Sequence, residues 1–153
     1  MQLPQEEFPW FKSDTRGGKA KTFAWHFDAT TESIQIDRGF GNPVVFTAEL
    51  LFSVIHDLYD HFGSDWYPLA NNVEKIGNGT EIRGLGSSIY SVTKDTANAM
   101  AASQLGVILE KLGIFEWNNK VKGIAWRLCV EPPASIDDLR MALLSEPALN
   151  AVR

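Results

Sequence analysis

Apolar residues recur at two periods along this chain, and the switches between them mark its elements. Phe23, Trp25 and Phe27 alternate with small or polar residues, and Ile34 and Ile36 do the same beyond the polar link Ala29 to Glu32. That period of two predicts a β-hairpin over residues 21–37. From Thr47 the period lengthens: Leu50, Leu51, Val54, Ile55, Leu58, Tyr59 and Phe62 share one stripe. Thr47 can cap it, Glu49 suits the first turn, and Gly63 stops it, so a helix is expected over 47–62. Ile89 and Val92, three apart, predict a short helix over 87–92. Ala97, Ala101, Leu105, Ile108, Leu109 and Leu112 then form a second long stripe, with Asp95 and Thr96 as cap residues and Gly113 as the stop; the expectation is one helix over 96–112. Strand formers from Ile114 to Trp117, the Asn118-Asn119 turn, and the alternation of Ile124, Trp126 and Leu128 predict a hairpin over 114–128.

Between these elements the pattern weakens. Residues 1–20 contain Pro4, Pro9, Gly17 and Gly18 without a period and read as an irregular lead-in, whose aromatics Phe8, Trp10 and Phe11 either dock on the domain or serve a partner. The stretch 65–86, with Asn78-Gly79 and several glycines, reads as a long ordered loop with one helical turn near Ala70–Glu74, anchored by Trp66, Tyr67 and Leu69. Pro132-Pro133 ends the last strand, and Ser135 can cap a short helix in which Ile136, Leu139 and Leu143 share a face. The organisation expected is a single domain over 21–144 and a tail over 145–153.

Composition narrows the class. With 153 residues, 44% hydrophobic and 22% charged, the chain is long enough for one domain with its own core. No apolar run has the length of a membrane span, and the N-terminus lacks the pattern of a signal peptide, so a soluble cytoplasmic protein is expected. The lone Cys129 excludes an internal disulfide and is expected to be an ordinary buried thiol at a strand end. His56, Asp57, Asp60 and His61 are the one cluster with the residue types of a metal or acid–base site. His56 and His61 diverge by about 140° on a helix and cannot share an ion, while His56 with Asp60 and Asp57 with His61 are at the spacing of surface pairs. No nucleophile elbow, P-loop or zinc signature is present, and no catalytic residue, metal site or cofactor is assigned.

The net charge of −5 bears on partners, because phosphate neutralisation dominates nucleic-acid affinity. The charge is uneven. Residues 43–94 hold three cations against Glu49, Asp57, Asp60, Asp65, Glu74 and Glu81, whereas residues 95–130 set Lys111, Lys120, Lys122 and Arg127 against Asp95, Glu110 and Glu116.

Taken in order, helix 47–62, helix 87–92, helix 96–112 and hairpin 114–128 resemble a winged helix-turn-helix. The run SQLGVILEKLGIFEWNNKVKGIAWRL is similar to the end of a recognition helix entering its wing. The fold class this implies is α+β: a winged-helix-like core over 47–128, with three helices plus a C-terminal β-hairpin, preceded by an N-terminal β-hairpin. The resemblance further implies a DNA-binding, transcription-regulatory role, with the 96–112 helix in the major groove and the 118–122 turn near phosphates. Thr96, Asn98, Ser103 and Gln104 would then meet the groove, and Lys120, Lys122 and Arg127 the backbone. The helix face opposite the stripe carries Ala99, Ala102, Ser103, Gly106 and Glu110, with no arginine or lysine to read guanine. That small-residue face suits close packing as well as it suits DNA. The alternative is an acidic adaptor or regulatory module that binds a protein partner or a second copy of itself through this face and the Trp117 side of the hairpin.

Overall fold

A computed structural model describes residues 10–144; Phe8 and the expected tail 145–153 lie outside the described residues. The N-terminal alternation folds as a meander. Strands β1 (Phe11–Asp14), β2 (Thr22–Asp28), β3 (Ser33–Asp37) and β4 (Val44–Thr47) form a four-stranded antiparallel sheet in that order. The register sets Phe11 beside Trp25, Trp25 beside Ile36, Phe27 beside Ile34, and Ile34 beside Phe46. One face therefore gathers the apolar side chains, and Phe23, Trp25, Phe27, Ile34, Ile36, Val44 and Phe46 are all buried. Each stabilises the fold by roughly 1.5–3 kcal/mol relative to exposure. The hairpin expected over 21–37 is the centre of this sheet. β1 corrects the reading of residues 1–20 as irregular: four residues are too few to establish a period, and pairing with β2 fixes them.

Thr47 ends β4 and caps the next helix, α1 (Ala48–Phe62), its Oγ1 accepting from Leu50 N at 3.2 Å. Leu51, Val54, Ile55 and Leu58 are buried. Leu50 and Tyr59 lie about 180° apart, at opposite margins of that stripe, which leaves Leu50 half-buried and Tyr59 exposed.

The stretch 65–86 has more regular structure than expected. It contains β5 (Tyr67–Pro68) and α2 (Val73–Gly77), and it leads into α3 (Leu85–Thr93). Its glycines allow close approach. A Cβ at Gly86 would lie 2.5 Å from the Ala70 carbonyl oxygen, and in its absence Gly86 N donates to Leu69 O at 2.8 Å. The start of α3 is thereby held against the strand that precedes it.

The long helix expected over 96–112 is two helices, α4 (Thr96–Met100) and α5 (Ala102–Lys111), joined at Ala101 with ψ 7. Asp95 caps α4 as expected, accepting from Ala97 N at 2.7 Å. Tertiary contact decides the break: both helices pack on α3, but α4 also packs on β4, where Asn98 Nδ2 donates to Val45 O at 3.0 Å, whereas α5 packs against β6 and β1. α5 turns apolar residues inward, whereas α4 buries Ala99 together with the polar Asn98 and leaves Ala97, expected on the stripe, half-buried.

After Gly113, β6 (Phe115–Trp117) and β7 (Ala125–Leu128) complete a second antiparallel sheet in the order β5-β7-β6. Tyr67 lies beside Trp126, and Phe115 beside Leu128. The last helix, α6 (Ile136–Leu144), starts where Ser135 Oγ accepts from Asp138 N at 3.1 Å and buries Leu139 and Leu143 against α1. The class is thus α+β, with six helices and two antiparallel sheets among the described residues around one continuous apolar core. Among these residues no helix is long and apolar enough to cross a membrane.

Candidate nucleic-acid interface

Two turns from distant parts of the sequence meet at one end of the molecule. The first, residues 15–21, joins β1 to β2 and closes where Thr15 N donates to Lys21 O at 3.1 Å and Lys21 N to Thr15 Oγ1 at 3.0 Å. The second, residues 118–124, joins β6 to β7. Asn118 organises it: its N donates to Ala125 O at 3.0 Å, its Nδ2 to Gly123 O at 2.9 Å, and its Oδ1 accepts from Lys120 N at 3.1 Å. Asn119 takes the expected positive φ of 60°. The turns touch, since a Cβ at Gly18 would lie 3.7 Å from Val121 Cγ1.

Arg16 fastens the contact. Its Nε donates to Glu110 Oε1 at 3.3 Å, its Nη2 donates to Glu110 Oε2, and its guanidinium carbon lies 4.5 Å from the Trp117 ring centroid. Glu110 Oε1 also accepts from Trp126 Nε1 at 3.3 Å. A forked guanidinium on a carboxylate is a directional, charge-assisted contact. One side chain of the β1–β2 turn thus reaches α5, β6 and, through Glu110, β7.

The two touching turns bring four lysines onto neighbouring segments of an acidic protein. Lys19, Lys21, Lys120 and Lys122 are all exposed, and none pairs with a carboxylate among the described residues. Arg16 and Glu110 neutralise one another. Asp14, the nearest acid on β1, accepts from Thr22 Oγ1 at 2.7 Å.

The seven residues expected to meet DNA are dispersed. Lys120 and Lys122 are exposed on the 118–124 turn. Arg127 lies on β7, the middle strand of the three-stranded sheet, paired with Glu116 at 2.7 Å and stacked over the Trp66 ring at 4.5 Å. Thr96 is exposed at the start of α4, while Asn98 is buried and committed to Val45. Ser103 and Gln104 are half-buried and bonded to each other at 3.1 Å. α5 is enclosed on most sides: Ala102, Leu105, Gly106, Val107, Ile108 and Leu109 are buried. The small-residue face is filled from within the chain, since a Cβ at Gly106 would lie 2.6 Å from the Trp126 ring. Lys19, Lys21 and Arg16 were not among the expected contacts. Their signal was present in TRGGKAK, a basic turn between two strands, but it is legible only once β1 is recognised.

The other chemical candidates are structural. Asp57 accepts from Ser88 Oγ at 2.6 Å and lies 3.6 Å from His61, while His56 Nε2 bonds the Pro133 carbonyl at 2.7 Å. No group of three or more metal-ligating side chains converges among the described residues. Cys129 is exposed rather than buried, because β7 has ended and the chain is leaving the sheet; its Sγ donates to Gly113 O at 3.2 Å. Partial desolvation, then the Glu116 carboxylate, push this thiol above its ordinary value, so it stays a protonated, weak nucleophile at neutral pH. No protein-family model, curated protein or solved structure matches the chain.

Proposed function

We propose that the chain is a winged-helix-type binding protein that grips the phosphate backbone of duplex DNA with the two touching turns 15–21 and 118–124. The observation that carries this reading is that two touching turns carry Lys19, Lys21, Lys120 and Lys122, all exposed and none of them ion-paired among the described residues. The order α1, β5, α2, α3, α4–α5, β6, β7, with the sheet arranged β5-β7-β6, supports the winged-helix part, with the short α2 as an addition to it. In that reading the 118–124 turn is the wing and the β1–β2 turn is its second prong.

Burial of α5 argues against insertion of a helix into the major groove. Phosphate contacts position a protein without reading bases, so this binding is expected to be nearly independent of sequence. Four neutralised phosphates would give a log–log salt slope of about −3.6 and a loss of roughly 100-fold between about 50 and 200 mM salt. Fluorescence anisotropy with random duplex DNA measures both. Lys19→Ala/Lys21→Ala and Lys120→Ala/Lys122→Ala should each reduce the slope by about two. Absence of binding at tens of micromolar protein in low salt defeats the reading.

A further inference from the structure

The opposite end of β7 has different chemistry. After Leu128 the chain runs along α1, held where Cys129 N donates to Ile114 O at 3.1 Å and where His56 Nε2 bonds the Pro133 carbonyl at 2.7 Å. A hollow opens on each side of it. One, of about 310 Å³, has walls from Ile55, Ile114, Leu139 and Ala142. The other is an open cleft of about 860 Å³ that passes Tyr59 and Asp60. Val130 and Glu131 line both and form the ridge between them.

Large apolar groups are left in water here. Tyr59 and Val130, which line the hollows, are each 47% exposed. A lone exposed apolar residue is ordinary, but a group of them around a concavity marks an interaction surface. Asp60, Glu131 and Asp138 line the hollows without an ion-pair partner among the described residues, and no lysine or arginine lines either hollow. Two copies meeting through this face would oppose like charges. The complementary occupant is apolar on one side and basic on the other.

We propose that this ridge and its hollows dock a basic amphipathic segment of a partner protein. Apolar side chains of the segment enter the smaller hollow beside Val130, and its lysines or arginines meet Asp60, Glu131 and Asp138. This surface is separate from the lysine-bearing turns and does not depend on DNA binding.

The test uses the full chain and a labelled synthetic helix of leucines and lysines at amphipathic spacing, followed by anisotropy near ~150 mM salt, where exposed charges beyond about 8 Å are screened. Saturable binding should weaken about tenfold or more with Val130→Asp and with Glu131→Gln/Asp138→Asn, and should be unchanged by Lys120→Glu/Lys122→Glu. These positions are exposed, and near-ultraviolet circular dichroism establishes that the variants remain folded. A matched peptide with serine in place of leucine should not bind. Equal binding of the serine peptide, or unchanged affinity in both groove variants, overturns the proposal. A concentration-dependent dimer lost in Val130→Asp would assign the surface to a second copy and overturn it as well.

Discussion

At one end of β7 the chain enters from a turn flanked by Lys19, Lys21, Lys120 and Lys122; at the other it leaves past Asp60, Glu131 and Asp138. Only the four residues Ala125–Leu128 separate these ends, a span of about 13 Å. The lysine end is built on Asn118's hydrogen bonds. The acidic end is concave, with apolar walls. The net charge of −5 averages over both and describes neither. Partner arguments from overall charge hold for long-range steering, but contact chemistry is set by which loops the fold brings together.

Trp126 joins the two ends, so its removal should have the largest effect. It is fully buried in the middle strand of the second sheet, lies against Gly106 and bonds Glu110. Trp126→Ala should cost about 3–5 kcal/mol in urea unfolding and impair both proposed surfaces together. If one surface kept its binding at full strength, the two would not share a scaffold.

Arg16→Ala separates the ends with a smaller effect. It leaves the Glu110 carboxylate with only the Trp126 indole, at a cost of about 1–3 kcal/mol, and frees the β1–β2 turn from the 118–124 turn. DNA affinity should fall although no lysine has been touched, while the Leu/Lys peptide should bind as before. Arg16→Lys should restore only part of the effect, because an ammonium cannot fork across both carboxylate oxygens. A stability loss without any change in DNA binding would mean the turns need not be fastened to each other.

Asp28 lies at neither surface and serves as the weakest probe. Burial raises its pKa, but the Thr30 and Thr31 amides and the Thr31 hydroxyl outweigh that and hold it below the ordinary carboxylate value. A depressed folded pKa contributes stability that is complete above the unfolded value of about 3.9 and is lost as pH falls through the folded value. Asp28→Asn should therefore flatten the acid limb of the stability profile below about pH 4 and leave both binding reactions at neutral pH unchanged.

The sequence carried much of this architecture. Thr47 and Gly63 bound α1, Asp95 caps α4, Asn119 takes a positive φ, and Ser135 starts α6, all as expected from local chemistry. Failures fell where an element was short or where burial was two-sided. β1 and β5 hold too few residues to show a period. The joint at Ala101 is invisible because Ala97, Ala101 and Leu105 keep helical spacing across it. The candidate contacts followed the same division. Lys120 and Lys122 could be proposed from the sequence because their turn is a local signal, whereas Lys19 and Lys21, proposed only from the fold, lie about a hundred residues away in sequence.

By itself, then, the sequence determined the capped helices, the alternating strands and the α+β class, since these depend on backbone geometry and on the spacing of neighbours a few residues apart. Only tertiary structure decided that the β1–β2 turn rests on the 118–124 turn, that Trp126 fills the face beside Gly106, and that Val130 stands between two hollows. Each of these depends on contacts between residues far apart in the chain, whose geometry is fixed by packing the whole core and leaves no periodic trace in the order of amino acids.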